Sequence, residues 1–89
     1  MPAVCRAGVD IHGCGTLDTV GSPDTFVNGS PVHRFGDDHD HLSTQVGCSP
    51  DVFVNGLGVA RVGDDHSGCV VPSHPPSPQV TGSPDTFAN

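Results

Sequence analysis

The chain of 89 residues contains no glutamate, lysine, tryptophan or tyrosine. Without Glu, Lys and Tyr, the ordinary acid–base groups reduce to His and Asp, which argues against an enzyme. A zinc deaminase, for example, needs a glutamate beside its metal. Ten Asp against three Arg give a net charge of -7, so the chain offers no basic surface for nucleic acid or an anionic membrane. We therefore expect a protein that is not an enzyme and binds no nucleic acid.

Long apolar segments are absent as well. No run of residues approaches the length that crosses a bilayer, and Met1-Pro2 is not followed by the apolar region of a secretory signal. We expect a protein that is made in the cytoplasm without a signal peptide and is not stably anchored in a membrane.

The residues that are present favour strands over helices. Val supplies 13 of the 21 Leu, Ile, Val and Phe residues, while 12 Gly and nine Pro interrupt every stretch long enough for a helix. This predicts an all-β fold with a single small domain over residues 1–89. So small a core usually needs disulfides or a metal, and four Cys and six His could supply either. A chain without a secretory signal favours the metal.

Two short sequence phrases each occur three times. The first contains Ser-Pro-Asp followed by Phe, and its copies are residues 21–28, 49–55 and 82–89. The second carries one arginine at a fixed place, and its copies are residues 2–8, 31–37 and 58–64. All three arginines of the chain, Arg6, Arg34 and Arg61, occupy that place. Such regularity indicates an internal threefold repeat.

The repeats predict β-hairpins. Asn28-Gly29 and Asn55-Gly56 separate the two phrases, and Asn-Gly between short strands is a strong hairpin signal. The third copy is split, since residues 84–89 end the chain and residues 2–8 begin it. We expect the termini to pair and complete a third hairpin, closing a pseudo-threefold body without a free sheet edge. The alternative, a linear solenoid, would leave both edges open.

The segments that connect the hairpins carry most of the metal-binding residue types. These segments are residues 9–20, 38–47 and 65–81, and equivalent loops of a threefold fold converge at one end. Their donors are His12, Cys14, His39, His41, His66, Cys69 and His74. A structural zinc site takes four such nitrogen and sulfur donors. The spacing matches no standard zinc finger, so only the recurrence of donors in all three loops predicts the site.

The remaining polar residues of the repeats have simpler interpretations. His33 and Cys5 occupy the position where the third copy has Ala60, which favours packing or surface over metal binding. Cys48 is interpreted as a buried thiol. The arginines are expected to pair with the aspartates of the Gly-Asp steps, or with strand-end carbonyls of a neighbouring repeat.

The second phrase resembles the motif of the PAAR-repeat (proline-alanine-alanine-arginine) family. Its copies read Pro2-Ala3-Val4-Cys5-Arg6, Pro31-Val32-His33-Arg34 and Gly58-Val59-Ala60-Arg61, and the surrounding Gly-Ser-Pro-Asp, Phe-Val-Asn-Gly and Arg-x-Gly-Asp are also typical of the family. The resemblance covers essentially the whole chain. It implies a β-cone that caps the trimeric β-helical spike of a contractile phage tail or a type VI secretion system. The tip would be monomeric, with one tip per trimer, and would penetrate an envelope only transiently.

The resemblance also implies one structural Zn²⁺ per chain near the vertex of the cone. The family's histidine step matches His12, the middle-loop histidine matches His41 or His39, and the third-loop cysteine matches Cys69. His74, in the longest loop, completes the set that we favour: His12, His41, Cys69 and His74. His66 and Cys14 are additional donors that the family pattern does not assign.

The resemblance also predicts where the protein is found, and one alternative function stays open beside it. We expect the chain in a virion, at the tip of the tail baseplate spike, or in an assembled secretion apparatus. The sequence does not distinguish the two. A different function is a free-standing zinc- or disulfide-stabilised β domain that binds a cell-surface ligand.

The hairpin turns would lie at the end opposite the His and Cys loops. The residues beside them are therefore candidates for contact with the spike, with filling of the hairpins' own core as the equal alternative. These residues are Val27, Val54, Leu57 and Ala88.

Overall fold

The computed structural model describes residues 2–11, 17–39, 43–68 and 77–89. These residues form strands, single bridges and turns, and none of them lies in a helix. The strands are β1 (Phe26–Val27), β2 (Ser30–Pro31), β3 (Asp38–His39), β4 (Ser43–Thr44), β5 (Phe53–Val54) and β6 (Leu57–Gly58). They pair as three antiparallel two-stranded sheets, β1–β2, β3–β4 and β5–β6. The all-β prediction is confirmed.

Within these ranges, no helix is long and apolar enough to cross a bilayer.

The β1–β2 and β5–β6 hairpins turn at the two Asn-Gly steps. Asn28 and Gly29 have φ angles of 54° and 79°, and Asn55 and Gly56 have φ angles of 55° and 76°. Two consecutive left-handed residues form the turn whose twist matches a two-residue hairpin, and Asn followed by Gly adopts it at little cost. Both predicted turns are confirmed.

The two ends of the chain lie side by side. Ala3 and Phe87 form an antiparallel bridge. The main-chain N–H of Val4 also donates to the carbonyl of Thr86 at 2.9 Å. The first and last segments therefore pair as the split third copy predicts.

A closed ring of main-chain hydrogen bonds joins three distant parts of the chain. The N–H of Cys5 donates to the carbonyl of Ala60, that of Ala60 to His33, and that of His33 back to Cys5, at 3.0, 2.9 and 3.0 Å. All three residues are fully buried. Since a buried peptide group without a partner is costly, the ring satisfies six such groups where three segments meet.

A small apolar core lies next to this ring in sequence. Val4, Val32 and Val59 each precede a ring residue, and together with Ala88 they form the buried apolar cluster. Val27 and Val54 pack against it. Three of the four residues predicted as candidates for partner contact thus take part in core packing, whereas Leu57 is 38% exposed.

Each arginine pairs with an aspartate three or four residues later. The pairs are Arg6–Asp10, Arg34–Asp37 and Arg61–Asp64, with Nε–Oδ2 distances of 2.9, 2.8 and 2.9 Å. A second nitrogen of each guanidinium donates to the other carboxylate oxygen, so the pairs are bidentate. The same nitrogen reaches a main-chain carbonyl, that of Gly82, Gly21 and Cys48 respectively. The predicted pairing with aspartate is therefore confirmed, although Arg6 takes Asp10 because its copy lacks the Gly-Asp step. The carbonyls come from the start of the same hairpin copy and not from a neighbouring repeat.

The valine core provides a test of the packing. Val32 is 2% exposed and Val46 is 50% exposed. We expect Val32→Ala to lower the free energy of unfolding by about 2 kcal/mol, since it removes two buried side-chain carbon atoms and leaves a cavity. The matched Val46→Ala should change it by less than about 0.5 kcal/mol. Chemical denaturation measures both values, and equal losses would contradict the assignment of the core.

Candidate metal centre

Three buried polar side chains occupy the same position relative to the repeats. Asp18, Gln45 and Gln79 each lie four residues before the Ser of a Ser-Pro-Asp step. Each donates its main-chain N–H to the carbonyl of an arginine-paired aspartate, namely Asp10, Asp37 and Asp64, at 3.0, 3.0 and 2.8 Å. Their exposures are 0%, 0% and 1%. The repeat thus inserts one polar side chain per copy into the interior, and only one of them is a carboxylate.

Hydrogen bonds tie these three side chains to one another. Gln79 Nε2 donates to both oxygens of Asp18 at 2.8 Å and lies 3.1 Å from Gln45 Oε1. Gln45 Nε2 donates to the carbonyl of Gly47 at 2.7 Å. Among the described residues, Gln79 Oε1 has no hydrogen-bond partner. The Gln79 amide orients the carboxylate of Asp18 but supplies no positive charge to balance it.

Two histidines approach that carboxylate. His39 lies in β3 and forms a bridge with Asp18, whereas His33 is one of the ring residues. Asp18 Oδ1 lies 3.2 Å from His39 Nε2 and 3.8 Å from His33 Nε2. The two Nε2 atoms are 2.7 Å apart. The three donor atoms all lie within 4.8 Å of one another, and this buried cluster could hold a metal ion.

The tautomer of His33 suits a metal ligand. Its Nδ1 lies 2.7 Å from the carbonyl oxygen of Val20, which can only accept, so Nδ1 carries the hydrogen. Burial is the main cause that lowers the pKa of His33 and favours the neutral ring. The lone pair of a neutral ring is then on Nε2, which is directed at the cluster. Metal-bound histidines are commonly held in this way by a carbonyl at the other nitrogen.

The second histidine has polar neighbours at both nitrogens. His39 Nδ1 lies 3.2 Å from the hydroxyl of Ser43, which can either accept or donate a hydrogen. His39 Nε2 lies 3.1 Å from Gln45 Oε1 and 3.2 Å from Asp18 Oδ1, two acceptors, as well as 2.7 Å from His33 Nε2. So many acceptors around one point favour a hydrogen or a metal cation at that point. Two imidazole nitrogens and one carboxylate oxygen are suitable donors for a divalent transition metal.

A third buried imidazole lies next to the cluster. The ring centroids of His66 and His39 are 5.6 Å apart. His66 Nδ1 accepts from the N–H of Gly68 at 3.0 Å and of Ser77 at 3.4 Å. Because Nδ1 accepts main-chain hydrogens, the hydrogen of a neutral His66 is on Nε2.

The favoured ligand set lies beyond the part of the chain that the structure describes. This holds for His12, His41, Cys69 and His74, and also for Cys14. His39, the other middle-loop candidate, is in the cluster.

His33 is fully buried, which agrees with the packing interpretation and not with a surface position. Its Nε2 is also one of the three candidate donor atoms. Asp18 was missed altogether. The repeat register contained a signal for it, because a carboxylate stands there where the other copies have glutamine.

The two described cysteines are both free thiols. Cys5 is fully buried, as expected for a packing residue, and burial is the main cause that raises the pKa of its thiol far above the usual range. Cys48 is only partly buried, so its prediction as a buried thiol is wrong. Neither thiol belongs to the Asp18, His33 and His39 cluster.

Comparison of the chain with models of known protein families, with curated proteins and with solved structures finds no match in any of the three. The case for a metal site therefore comes from the donor geometry and the sequence pattern.

The ring provides matched variants for a test of this site. Cys5, His33 and Ala60 occupy the three ring positions, so Cys5→Ala and His33→Ala both introduce a residue that the ring already accepts. We expect added Zn²⁺ to raise the melting temperature of chelator-treated wild type and of Cys5→Ala. At a hundredfold excess over the dissociation constant, the gain is about 2.7 kcal/mol. His33→Ala should lose most of that gain, and an undiminished gain would place the metal elsewhere.

Proposed function

We propose that the chain is a PAAR-repeat tip protein, which caps the trimeric β-helical spike of a contractile injection apparatus. The observation that carries this proposal is the threefold recurrence of the same contacts in one chain. Each copy contributes one residue to the hydrogen-bonded ring, one bidentate arginine–aspartate pair and one buried polar residue. We infer that the three copies are pseudo-threefold hairpin repeats, with the third completed by the paired termini.

The dimensions support a body with one long axis. The principal extents are 31 × 23 × 23 Å, so the two short dimensions are equal. A body with these proportions and three similar faces suits the threefold end of a trimer. One monomeric tip can close that end where three separate chains would leave an opening at the axis.

We propose zinc as the metal of the candidate centre. Asp18, His33 and His39 would hold it, together with donors from the connecting loops. The bound ion would supply positive charge and fix the three side chains, which stabilises only the folded form. A small valine core alone contributes modest stability, so such a staple suits a point that must withstand penetration.

The surface for the trimer is proposed from three phenylalanines. Phe26, Phe53 and Phe87 lie at the same position of the three copies, four residues after the repeated Ser. They are 56%, 58% and 49% exposed. Each chain of a homotrimer would receive one of these rings. Because the chain has a net charge of -7 and no lysine, we propose an apolar contact that responds little to salt.

The zinc proposal is tested by elemental analysis. Protein purified without added metal should contain about one zinc per chain, since the centre provides a single cluster of donors. The Asp18→Asn variant keeps the shape of the side chain but removes its charge, and it should contain less zinc. Protein that is folded and free of zinc would contradict the proposal.

Binding to the trimer is tested by comparing a substitution of a phenylalanine at the repeated position with one of an exposed phenylalanine elsewhere. Phe53 lies at the repeated position, whereas Phe35 is 41% exposed but has Ala7 and Val62 as its counterparts. With a β-helical spike trimer from the same genome, we expect one tip per three spike chains. Phe53→Asp should weaken binding by about tenfold or more, as loss of an interface aromatic commonly does. Phe35→Asp should bind like wild type, provided that melting shows both variants folded. Equal binding by the two variants would place the interface elsewhere.

A further inference from the structure

The side-chain amide of Asn28 is held by the neighbouring copy of the repeat. Its Nδ2 donates to Asp85 Oδ1 at 3.0 Å. Its Oδ1 accepts from the hydroxyl of Ser83 at 2.6 Å and from Arg6 Nη1 at 3.3 Å. Every polar atom of this exposed amide therefore has a partner from another part of the chain.

Asn55 is held by the same three residue types. Its Nδ2 donates to Asp24 Oδ1 at 3.0 Å. Its Oδ1 accepts from the hydroxyl of Ser22 at 2.7 Å and from Arg34 Nη1 at 3.0 Å. The arrangement is thus built twice, which indicates a feature of the repeat and not an accidental contact.

Asn followed by Gly is a chemically reactive step. The main-chain nitrogen of Gly29 can attack Cγ of Asn28, and the side-chain nitrogen leaves as ammonia. The resulting succinimide is opened by water to aspartate or isoaspartate, so the net reaction consumes one water and releases one ammonia. Attack requires the side chain to turn until Cγ lies against the next peptide nitrogen.

The turns themselves offer little steric protection. A Cβ placed on Gly29 or Gly56 would meet no atom within 4 Å. Both asparagines are exposed. What restrains the side chains is therefore the set of hydrogen bonds from the neighbouring copy.

We propose that Asn28 and Asn55 are deamidation sites whose reaction is suppressed by the neighbouring copy, with Asp85 controlling Asn28 and Asp24 controlling Asn55. This inference does not depend on the proposed function. The hydrogen bonds to the asparagines are also the largest causes that lower the pKa of Asp85 and of Asp24, which agrees with a direct contact in each case.

Deamidation would weaken the contact between copies. A carboxylate at position 28 has no hydrogen to donate to Asp85, and it would place a second negative charge beside it. Arg6 and Ser83 could still donate, but the amide–carboxylate bond would be replaced by repulsion. Reaction at either turn would therefore loosen one junction of the repeat.

The sequence makes the two sites easy to separate. Trypsin cleaves after arginine, so Asn28 lies in the peptide of residues 7–34 and Asn55 in the peptide of residues 35–61. Folded protein is incubated in mildly alkaline buffer, and the deamidated fraction of each peptide is followed by mass spectrometry. The same chain in denaturant supplies the unprotected rate.

Three matched variants distinguish specific protection from general loosening. Asp85→Ala should speed deamidation of Asn28 but not Asn55, and Asp24→Ala should do the reverse. Each increase should be about fivefold, the change that loss of one hydrogen bond of ordinary net strength produces. Asp51 is the aspartate of the remaining copy, and its N–H is bound by Ser49 as in the other two. Among the described residues its side chain has no amide partner, so Asp51→Ala should change neither rate.

Two results would overturn the proposal. One is an equal increase at both asparagines in all three variants, which would indicate general loosening. The other is folded wild type that reacts as fast as the denatured chain, a comparison that remains valid even where a variant fails to fold.

Discussion

The hydrogen-bonded ring of Cys5, His33 and Ala60 is the constraint on which the other contacts depend. Three segments that are distant in sequence bring their peptide groups together, and each group is satisfied by the next segment. The three valines that precede the ring residues are thereby gathered into one core. The arginines that follow the ring residues are placed beside their aspartates and beside a carbonyl at the start of the same hairpin copy. The apolar cluster of the described residues is small, so the main-chain hydrogen bonds that join the segments contribute to their cohesion.

The sequence predicted the features that depend on short-range patterns. Asn28-Gly29 and Asn55-Gly56 specify their turns through backbone preferences that hold in nearly any surroundings. The split third copy likewise predicted that the ends of the chain pair, because each half lacked its partner strand. Valine content and breaker spacing were enough for the all-β class.

The candidate metal centre was harder to predict because its residues come from different structural settings. Asp18 and His39 both come from connecting segments, where Asp18 is not among the expected His and Cys donors, whereas His33 comes from the ring. The substitution of Ala60 for His33 in another copy suggested a replaceable residue. That reasoning assumed equivalent roles in all copies. The approach of His33 to Asp18 and His39 depends on the folded structure, so the sequence alone did not indicate it.

The position shared by Asp18, Gln45 and Gln79 shows what a single chain with three unequal copies permits. In a true homotrimer, any residue at this position would occur three times. An aspartate there would place three buried carboxylates close together. Such a group could not keep all its charges, since like charges in an apolar interior resist ionisation together. Joining the copies in one polypeptide frees each of them to change alone. One acid beside two amides then makes the interior asymmetric, although the surrounding sequence phrases recur three times.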